Sequence, residues 1–166
     1  RAVAAVKRRG VVVQTPPLGA MIEVPAAAIG VHGLVDAVDF MSIGTNDLVQ
    51  YMLAVDRNND ALGDLYSPLH PGVLRLLAHV IGAGEQSGVP VAVCGEMAGD
   101  TRLAPLLLAL GLREFSLHPS GLLELRRAIR ECRLDGLRAR AGKLLQARDR
   151  NAIERWLSQA TPAWAP

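Results

Sequence analysis

Asp39-Phe-Met-Ser-Ile-Gly-Thr-Asn-Asp-Leu-Val-Gln-Tyr51 is the stretch from which the rest of the chain can be read. An apolar run, Phe40 to Ile43, breaks at Gly44, and Thr45, Asn46 and Asp47 follow at once. That order predicts a buried parallel strand whose C-terminal end opens into a polar loop. In α/β folds the C-terminal ends of the strands are where ligands sit. A backbone turn able to cradle an anion, beside the Asp47 carboxylate, is what a site for a phosphate and a divalent cation requires.

Outward from this strand the same unit recurs. Toward the N-terminus, residues 1–9 read as the end of a helix stopped by Gly10, and 11–13 as a strand or a buried lead-in. Met21 to Val24 reads as a short strand ended by Pro25, and 26–37 as a helix. Toward the C-terminus, 46–71 reads as a long polar segment. Gly72 to Ser87 is an amphipathic helix with Val73, Leu76, Leu77, Val80 and Ile81 on one face. Val89 to Cys94 is a strand, Asp100 an N-cap for a helix running to Leu110, and Phe115 to Leu117 a fourth strand. Helices are expected over 122–131, 135–147 and 151–159, with a frayed tail from Thr161. Strand and helix thus alternate four times, which predicts parallel strands joined by right-handed crossovers. Four such units make half of an eight-stranded barrel; the alternative is a small open doubly wound sheet.

Bulk composition narrows the function. The 166 residues suffice for one domain with a sizeable core. Aromatics are only 4%, so that core must come from Val, Leu, Ile and Ala. Net charge is +2 with no long Lys/Arg block, which gives no support to nucleic-acid binding. The two cysteines, Cys94 and Cys132, lie far apart without metal-ligand spacing, as in a cytoplasmic protein with free thiols. No signal peptide is expected from these residues, and the longest apolar run, near 103–112, is too short to span a membrane. The chain opens on Arg1, as a fragment of a longer protein would.

Polar residues cluster after the predicted strands. Glu23, near the end of an apolar strand, is costly unless paired, protonated or metal-bound. Asp47 follows the next strand, and neighbouring parallel strands lie about 4.8 Å apart, so both carboxylates can reach one cation. The plainer alternative is one carboxylate salt-bridged to an Arg and the other capping a helix. Arg57, on the long segment after that strand, is either a phosphate clamp or a surface Arg paired with Asp56 or Asp60. Cys94 ends its strand just before Gly95 and Glu96; it is either a packing residue or a thiol able to move a proton. Cys132 reads as structural. His70 precedes a helix and is placed to cap it, and His118 follows the fourth strand on the presumed site side.

With these residues in view, the chain resembles the C-terminal part of enzyme I of the bacterial phosphotransferase system, phosphoenolpyruvate–protein phosphotransferase, nitrogen-related paralogues included. The matching segments are Gly19–Ala27, Val38–Tyr51, Leu53–Arg57, Leu65–Pro71 and Val93–Asp100. The Ser-Ile-Gly-Thr-Asn-Asp segment is also similar to pyruvate phosphate dikinase and phosphoenolpyruvate synthase, whereas the Leu-Ala-Val-Asp-Arg continuation leans toward enzyme I.

The resemblance implies the C-terminal half of a (β/α)₈ phosphoenolpyruvate barrel: βα units over about 1–134, then helices and tail over 135–166. It implies Mg²⁺ held by Glu23 and Asp47, with Asn46, Asp47 and Arg57 on the substrate. It also implies Cys94 as the thiol that protonates enolpyruvate to release pyruvate, with Arg57 assisting the transfer. The expected partners are phosphoenolpyruvate, the phosphohistidine domain of a parent protein, and a second copy of the chain. The phosphoryl-accepting His and the first half of the barrel, with its further arginines, are absent, so the chain should not complete phosphotransfer alone. Two open strand edges, near Met21 and Phe115, predict self-association. The competing readings are a dikinase or synthase fragment and a non-catalytic dimerisation module.

Overall fold

The apolar run Phe40 to Ile43 lies in the second of the four strands found among the described residues. A computed structural model describes residues 1–160; the tail from Thr161 lies outside the described residues, as do the side chains of Asp60 and Asp64. The strands are β1 (Gly19–Ile22), β2 (Phe40–Gly44), β3 (Val91–Cys94) and β4 (Glu114–Phe115). All neighbours are parallel and follow chain order, β1-β2-β3-β4. A doubly wound sheet needs a reversal of strand order, and none occurs here. The open edges fall on β1 and β4, as expected.

Alternation along each strand sends side chains to opposite faces. Ile22, Met41, Ile43, Val91 and Val93 are buried beneath the helices, in one core with Leu77, Val80, Leu106 and Leu107. On the other face Met21 and Phe40 remain 51% and 43% exposed. The helices therefore cover a single side of the sheet.

In chain order the helices are α1 (Ala2–Arg8), α2 (Pro25–Ile29), α3 (Thr45–Leu53), α4 (Pro71–Ser87), α5 (Glu96–Gly99), α6 (Ala104–Ala109), α7 (Leu122–Glu131), α8 (Leu134–Leu145) and α9 (Arg150–Ser158). Several differ from the sequence reading. The helix expected over 26–37 stops at Ile29 and continues as two 3₁₀ turns, Val31–Gly33 and Val35–Ala37. Gly30 and Gly33 weaken the helical backbone there. The segment 11–13 has no regular structure, and Val12 is 98% exposed. The largest correction concerns 46–71. Its first part is α3, because Leu48 and Val49, with Met52 and Leu53 one turn on, form an apolar stripe against the core. Only the stretch from Ala54 to His70 is loop, with a 3₁₀ turn at Asp60–Leu65. Asp100 caps a turn by accepting from the Arg102 amide (2.9 Å), and the helix it was expected to start begins at Ala104.

One cap and two ties between helices hold the helical layer. His70 Nδ1 accepts the Gly72 amide (3.1 Å) and caps α4, whose first residue is Pro71. Arg75 of α4 donates to the carbonyls of Leu145 (3.1 Å) and Ala147 (2.8 Å), satisfying the C-terminal end of α8. Further on, Arg140 lies over the Trp156 ring at 5.1 Å, and Trp156 Nε1 donates to the Arg140 carbonyl (3.1 Å), locking α8 to α9.

Candidate active site

The register brings the sequence-predicted polar residues to one rim. Gly44 of β2 pairs with Cys94 of β3. Ile22 pairs with Ile43, so Glu23, the next residue, flanks Gly44 from the other side. A methyl group at Gly44 would stand 3.0 Å from Glu23 Oε2, which places that carboxylate beside the Gly44 backbone. Glu23, Gly44 and Cys94 thus sit side by side at the C-terminal ends of three adjacent strands.

From Gly44 the chain enters α3 directly, so the anion-cradling turn anticipated at Gly44-Thr45-Asn46 is the first turn of a nine-residue helix. Its amides and its dipole favour a bound anion by the same chemistry. Asp47 lies in this first turn and is half-buried. Among the described residues neither Glu23 nor Asp47 forms an ion pair, so the salt-bridged alternative for these carboxylates is not what folds. Nor do three or more His, Cys, Asp or Glu side chains converge, among the described residues, on a metal position. Two unpartnered carboxylates with open positions fit Mg²⁺ completed by water and substrate oxygens better than a closed, all-protein cage.

Hydrogen bonds tie α3 to β3 and to the loop. Thr45, only 1% exposed, donates its hydroxyl to the Cys94 carbonyl (2.7 Å). Asn46 Oδ1 accepts the Glu96 amide (2.9 Å), and the Asn46 carbonyl accepts the Tyr66 hydroxyl (3.1 Å). Gly95 joins these pieces at φ +87°, where a Cβ would fall 2.6 Å from Thr45 Oγ1 and 2.7 Å from Asn46 Oδ1. Only glycine combines that backbone with that closeness.

Arg57 is exposed on the loop after α3, where its amide donates to Gln50 Oε1 (3.1 Å). It makes no ion pair with Asp56, whose Oδ1 accepts the Asn58 amide instead (2.9 Å). The Tyr66 phenol is pushed above its usual range, first by burial and then by Glu96, with Asp47 adding and Arg57 opposing. The Arg57 loop and the strand rim therefore act on the same ring.

A scan against family descriptions matches residues 1–134 to "PEP-utilising enzyme, PEP-binding domain". The chain belongs to this family. A phosphoenolpyruvate-protein phosphotransferase of Cupriavidus necator is 50% identical over 132 residues, 80% of this chain and 22% of the relative. One from Listeria monocytogenes is 51% identical over 118 residues, 71% of this chain and 20% of the relative. A multiphosphoryl transfer protein of Escherichia coli is 38% identical over 163 residues, 98% of this chain and 20% of the relative. The chain spans about a fifth of the length of these relatives.

Within this PEP-utilising domain, several residues at the site escape a sequence reading. Tyr66, Thr45 and Gln50 act through contacts between separate elements, which no local pattern announces. Ser42 and Met21 did carry a signal: each stands two residues before the polar end of its strand, on the face opposite the core positions. Ser42 Oγ lies 3.4 Å from Cys94 Sγ, and Met21 Sδ lies 3.8 Å from it. His118 is exposed and caps a 3₁₀ turn, its Nδ1 within 2.8 Å of Ser120 Oγ. Cys132 hydrogen-bonds to the Ala128 carbonyl (3.2 Å), and burial, with Glu131 adding, pushes its thiol up. No helix among the described residues is long and apolar enough to cross a membrane.

Proposed function

We propose that this chain is the phosphoenolpyruvate-binding catalytic portion of a phosphoenolpyruvate–protein phosphotransferase. In this reading it is the second half of a (β/α)₈ barrel, one domain that works in the cytoplasm as part of a homodimer. Sheet order without reversal and helices on one face support the half barrel. The observation that carries the function is the rim itself: two carboxylates without an ion-pair partner, a helix N-terminus and a thiol at three adjacent strand ends.

Glu23 and Asp47 are the residues that would hold Mg²⁺. Bound there, the ion would neutralise charge on the substrate's phosphoryl oxygens. Arg57 binds the phosphate from the loop side, while Asn46 and the first-turn amides of α3 orient the substrate. The P–O bond breaks with its electron pair going to the enolate oxygen, and a new N–P bond forms to a histidine on a separate domain. Cys94 then gives its S–H proton to the methylene carbon of the enolate, producing pyruvate and a thiolate that solvent reprotonates.

Calorimetric titration of the purified chain with phosphoenolpyruvate, with and without Mg²⁺, tests this. The expected result is Mg²⁺-dependent binding that weakens at least about 30-fold, roughly 2 kcal/mol, in Asp47→Ala. Binding indifferent to both the ion and Asp47, or no binding at all, would favour the non-catalytic module.

A further inference from the structure

Ser42 has no part in the mechanism above, yet its hydroxyl is among the nearest polar groups to the Cys94 sulfur. The alternation that buries Met41 and Ile43 turns Ser42 to the uncovered face, and the register sets it between Met21 and Ala92. Its Oγ stands 3.4 Å from Cys94 Sγ as donor. The same sulfur is 3.5 Å from the Ile43 carbonyl and 3.8 Å from Met21 Sδ. These neighbours ask different things of it. A carbonyl and a thioether only accept, so they favour the protonated thiol. A hydroxyl can donate, so it favours the thiolate.

We propose that Ser42 is a positioning residue for Cys94, its O–H steadying the thiolate left when the sulfur has given up its proton. This rests on the reading of Cys94 as the proton donor. The Ile43 carbonyl aligns S–H before transfer. As the new C–H bond forms on the enolate carbon, the S–H electron pair stays on sulfur, and the Ser42 O–H hydrogen-bonds to it until solvent returns the proton. The acidic side chains on the surrounding elements are Glu23 after β1, Asp47 in α3 and Glu96 in α5, and an ionised carboxylate has no hydrogen to donate to a thiolate. Arg57 is on the exposed loop, and no Lys, Arg or His hydrogen-bonds to Cys94 among the described residues. A neutral donor is what the site offers the thiolate.

The test uses the whole chain with Cys132→Ser, which leaves Cys94 as its only thiol. Alkylation by iodoacetamide is followed by intact mass from neutral to strongly alkaline pH, in Ser42, Ser42→Ala and Ser42→Thr backgrounds of matched melting behaviour. At about pH 7, Ser42→Ala should react about 3–10-fold more slowly, because less thiolate is present. At the alkaline plateau it should react at least as fast, because a thiolate without its donor is the stronger nucleophile. Ser42→Thr should follow the parent. Identical profiles, or an Ala rate raised by one factor at every pH, overturn the proposal; the second would mean improved access alone. Exchange of the pyruvate methyl protons in D₂O with Mg²⁺ separates the two readings. If Cys94→Ser leaves exchange unchanged while the alkylation profile still shifts, the proton-donor role falls and the Ser42–Cys94 coupling stands.

Discussion

The two faces of one sheet were built to different rules. Toward the helices, Met41, Ile43 and Val93 are completely buried. Away from them stand Ser42, Ala92, Cys94 and Gly19, with Phe40 and Met21 exposed among them. The first face is a packing surface, where each methylene removed leaves a cavity. The second is a chemical surface whose small side chains leave room above the strands. Apolar side chains beside two unpaired strand edges are where self-association, if it occurs, would begin. The contrast explains how one β-strand can carry both fold and function: odd and even positions answer to different neighbours.

The comparison breaks most visibly on the packed face. Ile43→Ala should lower the unfolding free energy by about 2–5 kcal/mol, measured by denaturant titration. A loss near that of an exposed position would mean the helical layer is loosely held. Next comes the fastening of that layer. Arg75→Ala removes two charge-assisted bonds at the end of α8 and should cost about 1.5–3 kcal/mol, with amide exchange rising first around Leu144–Ala147.

At the rim the expected effect is smaller. Tyr66→Phe removes one hydrogen bond to Asn46 and should cost about 1 kcal/mol. It should also delete from the ultraviolet absorbance titration a phenol that ionises above 10. Because the folded state holds that proton more tightly, the associated stability is complete below pH 10. It is lost as pH rises through the raised value, so the wild type should weaken more than Tyr66→Phe in strong alkali. Smallest of all is Phe40→Ser on the open face, which should change monomer stability by less than about 1 kcal/mol. It should instead reduce self-association in light scattering at high concentration; unchanged association would point to the strand edges.

Legibility in the sequence followed the range of the interaction. The strands at 40–44 and 91–94 and the helix at 71–87 were readable because local alternation and periodicity drive them. The true extent of α3 was hidden because Thr45, Asn46 and Asp47 carry polar chemistry, while Leu48, Val49, Met52 and Leu53 carry the helical stripe. Read for its chemistry, the segment looked like a loop; read for its period, it is a helix. The break at Gly30 has a local cause, since Gly30 and Gly33 weaken the helical backbone there, and the four-residue α5 after Gly95 is too short to carry a periodic pattern. Glu23, Asn46, Asp47 and Cys94 were legible as strand-end residues, and the rim does gather them. For Arg57 the residues left a phosphate clamp and a surface Arg both open, and only the resemblance favoured the clamp, since a loop residue has no period.

Local order along the chain was enough to decide an α/β class with parallel strands and to mark the polar residues that follow them, because each depends on residues a few positions apart; the ends expected for β1 (Met21–Val24) and β4 (Phe115–Leu117) were off by one or two residues. Which side chains meet was left to the parallel register. Pairing Gly44 with Cys94 sets Thr45 against the Cys94 carbonyl and Ser42 against its sulfur, partners about fifty residues away along the chain. One step of slippage would turn the thiol into the helical layer and the core residues to the open face. The core, by burying one parity of every strand, selects the register that assembles the rim.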